Sequence, residues 1–235
     1  MKYHKDEPLF TATAKMADLI LENYKLLSML PRFGITLGFN EKSVSTICKE
    51  ANISQELFLM ICNINSYDHY TPNAEELESI KIEELVEYLT RSHSYYADER
   101  LSGIESKLEL IKQGCDSAHH QIVAKFFGEY KQEVLNHFDY EDRVIFPYIK
   151  SLVRERIEQT FDVEQYEKNH ENIDDKLSDL KSIIIKYLPE SYPSERRIEI
   201  LNDIFILEDD LSKHTCIEER ILIPLVKNIE HDNGK

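Results

Sequence analysis

Six residues in this chain combine the chemistry of metal ligation with a spacing that can bring them together: His93, His137, Glu141, His170, His214 and Glu218. Each interrupts a run of apolar residues recurring every three or four positions, the pattern of a helix face that turns inward. A buried histidine is ordinarily satisfied by a hydrogen bond. A buried carboxylate is harder to accommodate, because an ionised group in an apolar core costs several kcal/mol unless a counter-charge or a metal meets it. His137 and Glu141 are four residues apart, and so are His214 and Glu218. Each pair therefore projects from one helix face and can address one site together.

The same residues obey a longer period. His93 to His170, His137 to His214 and Glu141 to Glu218 are each 77 residues apart. The flanks repeat as well: HFDYEDRVIFPYIK over 137–150 aligns with HTCIEERILIPLVK over 214–227. This is an internal duplication of a helical hairpin, with His from its first helix and HxxxE from its second. Two such hairpins related by approximate twofold symmetry imply a dinuclear site with half of the ligands from each.

Imidazole and carboxylate without thiolate suit iron or manganese and are poor for a closed structural zinc site. A carboxylate can bridge two metals, so Glu141 and Glu218 are assigned as bridges and the four histidines as terminal ligands. Asp142 and Glu219 fall five residues after their histidines, about 140° round a regular helix. They are expected to be solvated or paired with Arg143 and Arg220. Cys216 is expected to pack away from the site. Pro147 and Pro224 are expected to kink or end their helices below it. His4, His69, His119, His120 and His231 are expected on the surface. Tyr96, Tyr130 and Tyr166 are expected to pack in the core, with lining of the site's cavity as the alternative.

The elements that must position these residues are four long helices, at about 76–112, 117–151, 161–187 and 195–230, joined by short breaks such as Gly114-Cys115-Asp116 and Pro189 to Pro193. Short connections between long helices imply an up-down four-helix bundle. The buried stripes include Leu85, Leu89 and Tyr96 in the first, and Phe127, Tyr130, Val134, Val144 and Tyr148 in the second. In the third they include Val163, Tyr166, Leu177, Leu180 and Ile184, and in the fourth Ile204, Leu207, Leu211, Ile221 and Leu225. Residues 1–72 read as a small helical N-terminal domain, and 73–235 as the bundle. The N-terminal part has a helix within 10–29, a break at Pro31, Gly34 and Gly38, and short helices near 41–51 and 54–64. Ser54 is placed to cap the last of these. The polar stretch 65–73 reads as a linker.

Bulk properties narrow the function classes. The 235 residues carry a net charge of −16. Residues 1–72 hold seven basic and eight acidic side chains, so nearly all of the acidity lies in the remainder. That balance argues against a nucleic-acid partner, and the helix from Ser54 to Asn63 has no Lys or Arg to read DNA. No stretch approaches the roughly 20 apolar residues of a membrane span. The N-terminus has no apolar core of a secretory signal. Four cysteines without a CxxC pattern read as reduced thiols, and the expected location is cytoplasmic.

Over residues 80–230 the ligand pattern resembles the hemerythrin-like family, and within it the repair-of-iron-centres group. There, His from the first and third helices combines with HxxxE from the second and fourth, which here are His93, His170, His137 with Glu141, and His214 with Glu218. Oxygen-carrying hemerythrins have a different set with additional histidines. The stretch Phe33 to Lys49 is similar to that group's N-terminal domain, except that Gly38 and Phe39 stand where the group has a Cys-Cys pair. The resemblance implies an all-α hemerythrin-like bundle holding two iron ions joined by an oxo or hydroxo bridge. It implies a non-haem di-iron protein that repairs iron–sulfur clusters damaged by nitrosative or oxidative stress. Its partners would then be damaged iron–sulfur proteins and a diatomic ligand such as nitric oxide or dioxygen. The alternative is a di-iron sensor of those gases that signals through the N-terminal domain to a protein partner. Leu57, Phe58 and Ile61, read as exceeding what that domain's small core can bury, raise the expectation of a homodimer.

Overall fold

The computed structural model of the chain describes residues 9–113, 117–155, 173–190 and 192–233. The fold is all-α: among the described residues the one β feature is an isolated antiparallel bridge between Lys15 and Ser43. The chain divides into two compact units, Met1–Ser92 with Lys213–Lys235, and His93–Ser212.

In the first unit the helix expected within 10–29 is present but short. Helix α1 spans Met16–Glu22 and stops at Asn23, which takes extended φ/ψ. The Asn23 side chain accepts from Lys25 N and donates to Asn65 O and Ser66 Oγ. An Asn that finds such partners draws the backbone out of the helix, and a 3-10 turn, Tyr24–Ser28, follows. Helices α2 (Val44–Ala51) and α3 (Gln55–Ser66) lie where expected. Ser54 Oγ accepts from Leu57 N at 3.1 Å, the capping bond its position foretold. Between α2 and α3 the chain turns on Asn52 at φ 54°. Leu57, Phe58 and Ile61 are buried within the chain, so they supply no exposed face for a second copy.

The helix expected to begin at 76 comes in two pieces. The short α4 (Ala74–Glu78) opens on a reciprocal capping box between Asn73 and Glu76, and Ser79 Oγ donates back to Glu76 O. Helix α5 (Ile82–Ser94) then begins afresh.

The second unit carries the bundle core. Here α5 widens into a π turn (Tyr95–Leu101) and continues as α6 (Ser102–Glu109). Ser102 Oγ donates to the Ala97 carbonyl five residues back, occupying an acceptor that the wide turn presents. Helix α7 spans Ser117–Tyr140, α9 spans Ile173–Lys186 and α10 spans Ser194–Ile217, with α8 (Phe146–Glu155) continuing α7 after a second π turn. Leu108, Phe127, Val134, Leu180, Ile184 and Ile204 meet in one cluster to which all four helices contribute. Each such side chain adds about 1.5–3 kcal/mol by leaving water. The stripe from Phe127 to Val134 falls as the spacing requires. The expected third helix before 173, with Val163, Tyr166 and His170, lies outside the described residues.

Pro147 and Pro224 neither end their helices nor stand alone. Each follows a five-residue π turn, Glu141–Ile145 and Glu218–Leu222, and sits in the first turn of the next α segment, α8 or α11 (Ile223–Asn233). A proline ring lacks an N–H and clashes with the carbonyl four residues back. A wide turn just upstream makes room for the ring while the helix goes on. The extra residue also moves the stripe by one position. Val144, expected inside, is 49% exposed, while Ile145 is 4% exposed. Truncation should read out this register. Ile145→Ala should cost about 2–5 kcal/mol, and Val144→Ala should stay within about 0.5 kcal/mol. Denaturant unfolding of the two variants measures the difference, and a regular α-helix through this stretch would reverse the order.

Candidate metal centre

Helix α5 brings His93 to the end of its buried face, and α7 presents His137 one turn before Glu141. All three meet. The Glu141 carboxylate is fully buried and lies between two imidazoles: His93 Nε2 is 3.2 Å from its Oε2, and His137 Nε2 is 3.3 Å from its Oε1. The ring of His93 is held on its faces as well. Phe138 stacks on it at 4.2 Å and Phe146 at 5.4 Å, within 14° of parallel. The other ring nitrogen, Nδ1, lies 3.0 Å from Asp142 Oδ1. Glu141 and Asp142 are consecutive in sequence, yet they contact opposite nitrogens of one imidazole at the start of the π turn.

The second HxxxE unit is built alike. His214 is 3% exposed and Glu218 is fully buried, with His214 Nε2 3.0 Å from Glu218 Oε1. Glu218 opens its π turn as Glu141 does, 77 residues earlier. On either side of this pair the helix grips the segment that precedes α4. Lys213 Nζ reaches Asp68 Oδ1 at 2.6 Å, and Arg220 Nη1 donates to the carbonyls of Asp68 and Tyr70 at 2.9 and 2.7 Å.

Of the six residues picked out by spacing, His93, His137 and Glu141 are thus brought together, and His214 and Glu218 are paired. His170 lies outside the described residues. His93, Glu141, His214 and Glu218, all buried, are the described residues whose types and burial suit a metal ion. The expectation for Asp142 was wrong: it serves His93, while Arg143 pairs with Asp139 at 2.8 Å and Arg220 with backbone carbonyls. A regular helix turns Asp142 away from the site, and the signal that it would not was the proline six residues after each glutamate. His120, expected at the surface, is buried and stands 3.7 Å from Glu109. Tyr96 is a core residue as expected, and its hydroxyl donates to Asp210 Oδ1 at 3.0 Å.

The donor set fits a first-row cation. Two donors about 2.1 Å from one ion and roughly at right angles to each other are about 3 Å apart. The three His–Glu separations are 3.2, 3.3 and 3.0 Å. In the metal-free chain a proton takes the cation's part. Burial alone would lower His93, but the hydrogen bonds it donates to Asp142 and Glu141, and the charges of those carboxylates, outweigh it and lift the group to about 9.

The family model of the hemerythrin HHE cation-binding domain matches residues 84–226, a span that contains all six residues. No curated protein matches the chain.

The raised His93 gives a pH signature to the metal-free protein. Its ordinary value is 6.5, so its stabilising proton is fully in place below that pH and is lost as pH rises through about 9. Chelator-treated protein should therefore lose melting temperature between pH 6.5 and 9.5, and His93→Gln should show a smaller loss over the same range. Equal losses in the two proteins would contradict the assignment.

Proposed function

The chain belongs to the hemerythrin family of HHE cation-binding domains, and from that premise we propose that it is a di-iron protein of iron–sulfur cluster repair. Iron is favoured over zinc because the ligands are imidazole and carboxylate and the set contains no thiolate. The ligands in this reading are His93, His137, Glu141, His170, His214 and Glu218. The observation that carries it is the Glu141 carboxylate with an imidazole nitrogen at each oxygen. The internal repeat extends the same role to Glu218. When bound, the iron pair supplies redox capacity and open positions for a diatomic ligand. The ligand residues named would hold it and provide carboxylate charge to offset it.

Repair in this reading depends on iron held or released by the bundle rather than on thiol chemistry in the N-terminal part. Burial raises the Cys48 thiol to about 12, and burial likewise pushes Cys62 well above its ordinary value. Neither is poised as a thiolate. Gly38, in the place of the first cysteine of the related pair, has φ +109°, a backbone that strains any L side chain.

A second reading, gas sensing, has one observation in its favour. The helix that bears His214 and Glu218 grips Asp68 and Tyr70 through Lys213 and Arg220. A change at the second HxxxE unit would then be felt in the segment leading to the N-terminal region. Among the described residues no helix is long and apolar enough to cross a membrane.

Iron quantification with an absorption spectrum tests the iron pair. The expected result is about two irons per chain with the charge-transfer absorption of a bridged pair, and loss of both signals in Glu141→Ala. Undiminished iron in that variant would remove Glu141 from the ligand set. Function is tested by adding the iron-loaded protein to an iron–sulfur enzyme inactivated with nitric oxide. Recovered activity supports repair. No recovery, together with altered proteolysis at 67–73 on exposure to the gas, would overturn repair in favour of sensing.

A further inference from the structure

We propose that Asp142 is a positioning residue that fixes His93 for metal ligation, by accepting the Nδ1 proton and so aiming the Nε2 lone pair beside Glu141. The proposal rests on the di-metal reading above and adds a residue outside its ligand set. An imidazole has two nitrogens, and only one can ligate a given ion. Which one does so is set by the hydrogen bond that the other makes. For His93 that bond is on the page: Nδ1 to Asp142 Oδ1 at 3.0 Å, with Nε2 directed to Glu141 Oε2 at 3.2 Å.

The backbone explains how one short stretch can do both jobs. Glu141 and Asp142 open the π turn Glu141–Ile145. Consecutive residues on a regular helix point about 100° apart, which would leave Asp142 in solvent if Glu141 points inward. Here the two carboxylates bracket one ring along its length. Phe138 and Phe146 stack on it at 4.2 and 5.4 Å. With two rings stacked on it and both nitrogens partnered, the ring is held in one orientation. Asp142 is itself about one-third exposed, so a substitution there removes the hydrogen bond without opening a void in the core.

The repeat gives this role a testable asymmetry. The position corresponding to Asp142 is Glu219, which is exposed and one methylene longer.

The test compares wild type, Asp142→Ala and Asp142→Asn in three measurements. The first is iron retained per chain against a graded chelator. The second is the His93 Nδ1 proton by NMR in the metal-free protein. The third is thermal melting. Loss of such an outer partner typically weakens metal binding about 10–100-fold. Asp142→Ala should release iron at about 10–100-fold lower chelator concentration and lose the downfield, slowly exchanging Nδ1 proton. Asp142→Asn keeps an acceptor oxygen at the same reach, so it should recover much of both signals. Wild-type-like iron retention in Asp142→Ala would overturn the proposal. So would equal loss of iron and of melting temperature in both variants, which would mark a general structural role. Wild type that retains no iron would instead overturn the di-metal reading itself, and the two failures are thereby distinguished.

Discussion

A carboxylate with no exposure to water is the constraint on which the rest of this structure depends. Glu141 is fully buried, and its charge is stable only because an imidazole meets each oxygen. Glu218 is as deeply buried, with His214 Nε2 at its Oε1. Leaving such a group unpaired costs several kcal/mol, which a domain with a net stability of about 5–15 kcal/mol cannot absorb lightly. The imidazoles must therefore be held firmly, and the surrounding elements do so. Two phenyl rings stack on His93, and one carboxylate stands at each of its nitrogens.

The helices supply rigidity on one side of this arrangement and a controlled irregularity on the other. The core of Leu, Ile, Phe and Tyr in the second unit locks α6, α7, α9 and α10 together. Lys107 with Asp203 and Lys181 with Glu208 tie facing helices at their edges. The π turns then break the regular period where chemistry is needed. Glu141 and Glu218 each open one, and His93 lies two residues before another. Wide turns of this kind are uncommon in helices and gather at functional sites. They are retained here in both halves of the repeat, with a proline after each.

Much of this was legible in the sequence because it follows from period and chemistry. The inward stripes predicted Phe127, Tyr130, Leu180, Ile184 and Ile204 as core, and the burial of Glu141 and Glu218 followed from their places on those stripes. Ser54 was readable as a cap because a hydroxyl before an apolar run has few other uses. What failed was anything that depended on a change of period. Val144 and Ile145 exchange environments, and Asp142 turns to His93, because the helix gains a residue per turn over Glu141–Ile145. Pro147 and Pro224 carried that information, but a proline in a helix is compatible with a kink, an end or a wide turn, and only the packing decides among them. Asn23 broke α1 through partners more than 40 residues away, Asn65 and Ser66, which no local pattern displays.

Anomalous diffraction from crystals of the iron-loaded protein, recorded on both sides of the iron edge, tests the central claim most directly. The account predicts two iron peaks, each within bonding reach of a different oxygen of Glu141. A single peak, or iron bound away from Glu141 with the carboxylate still paired only to protonated histidines, would contradict it.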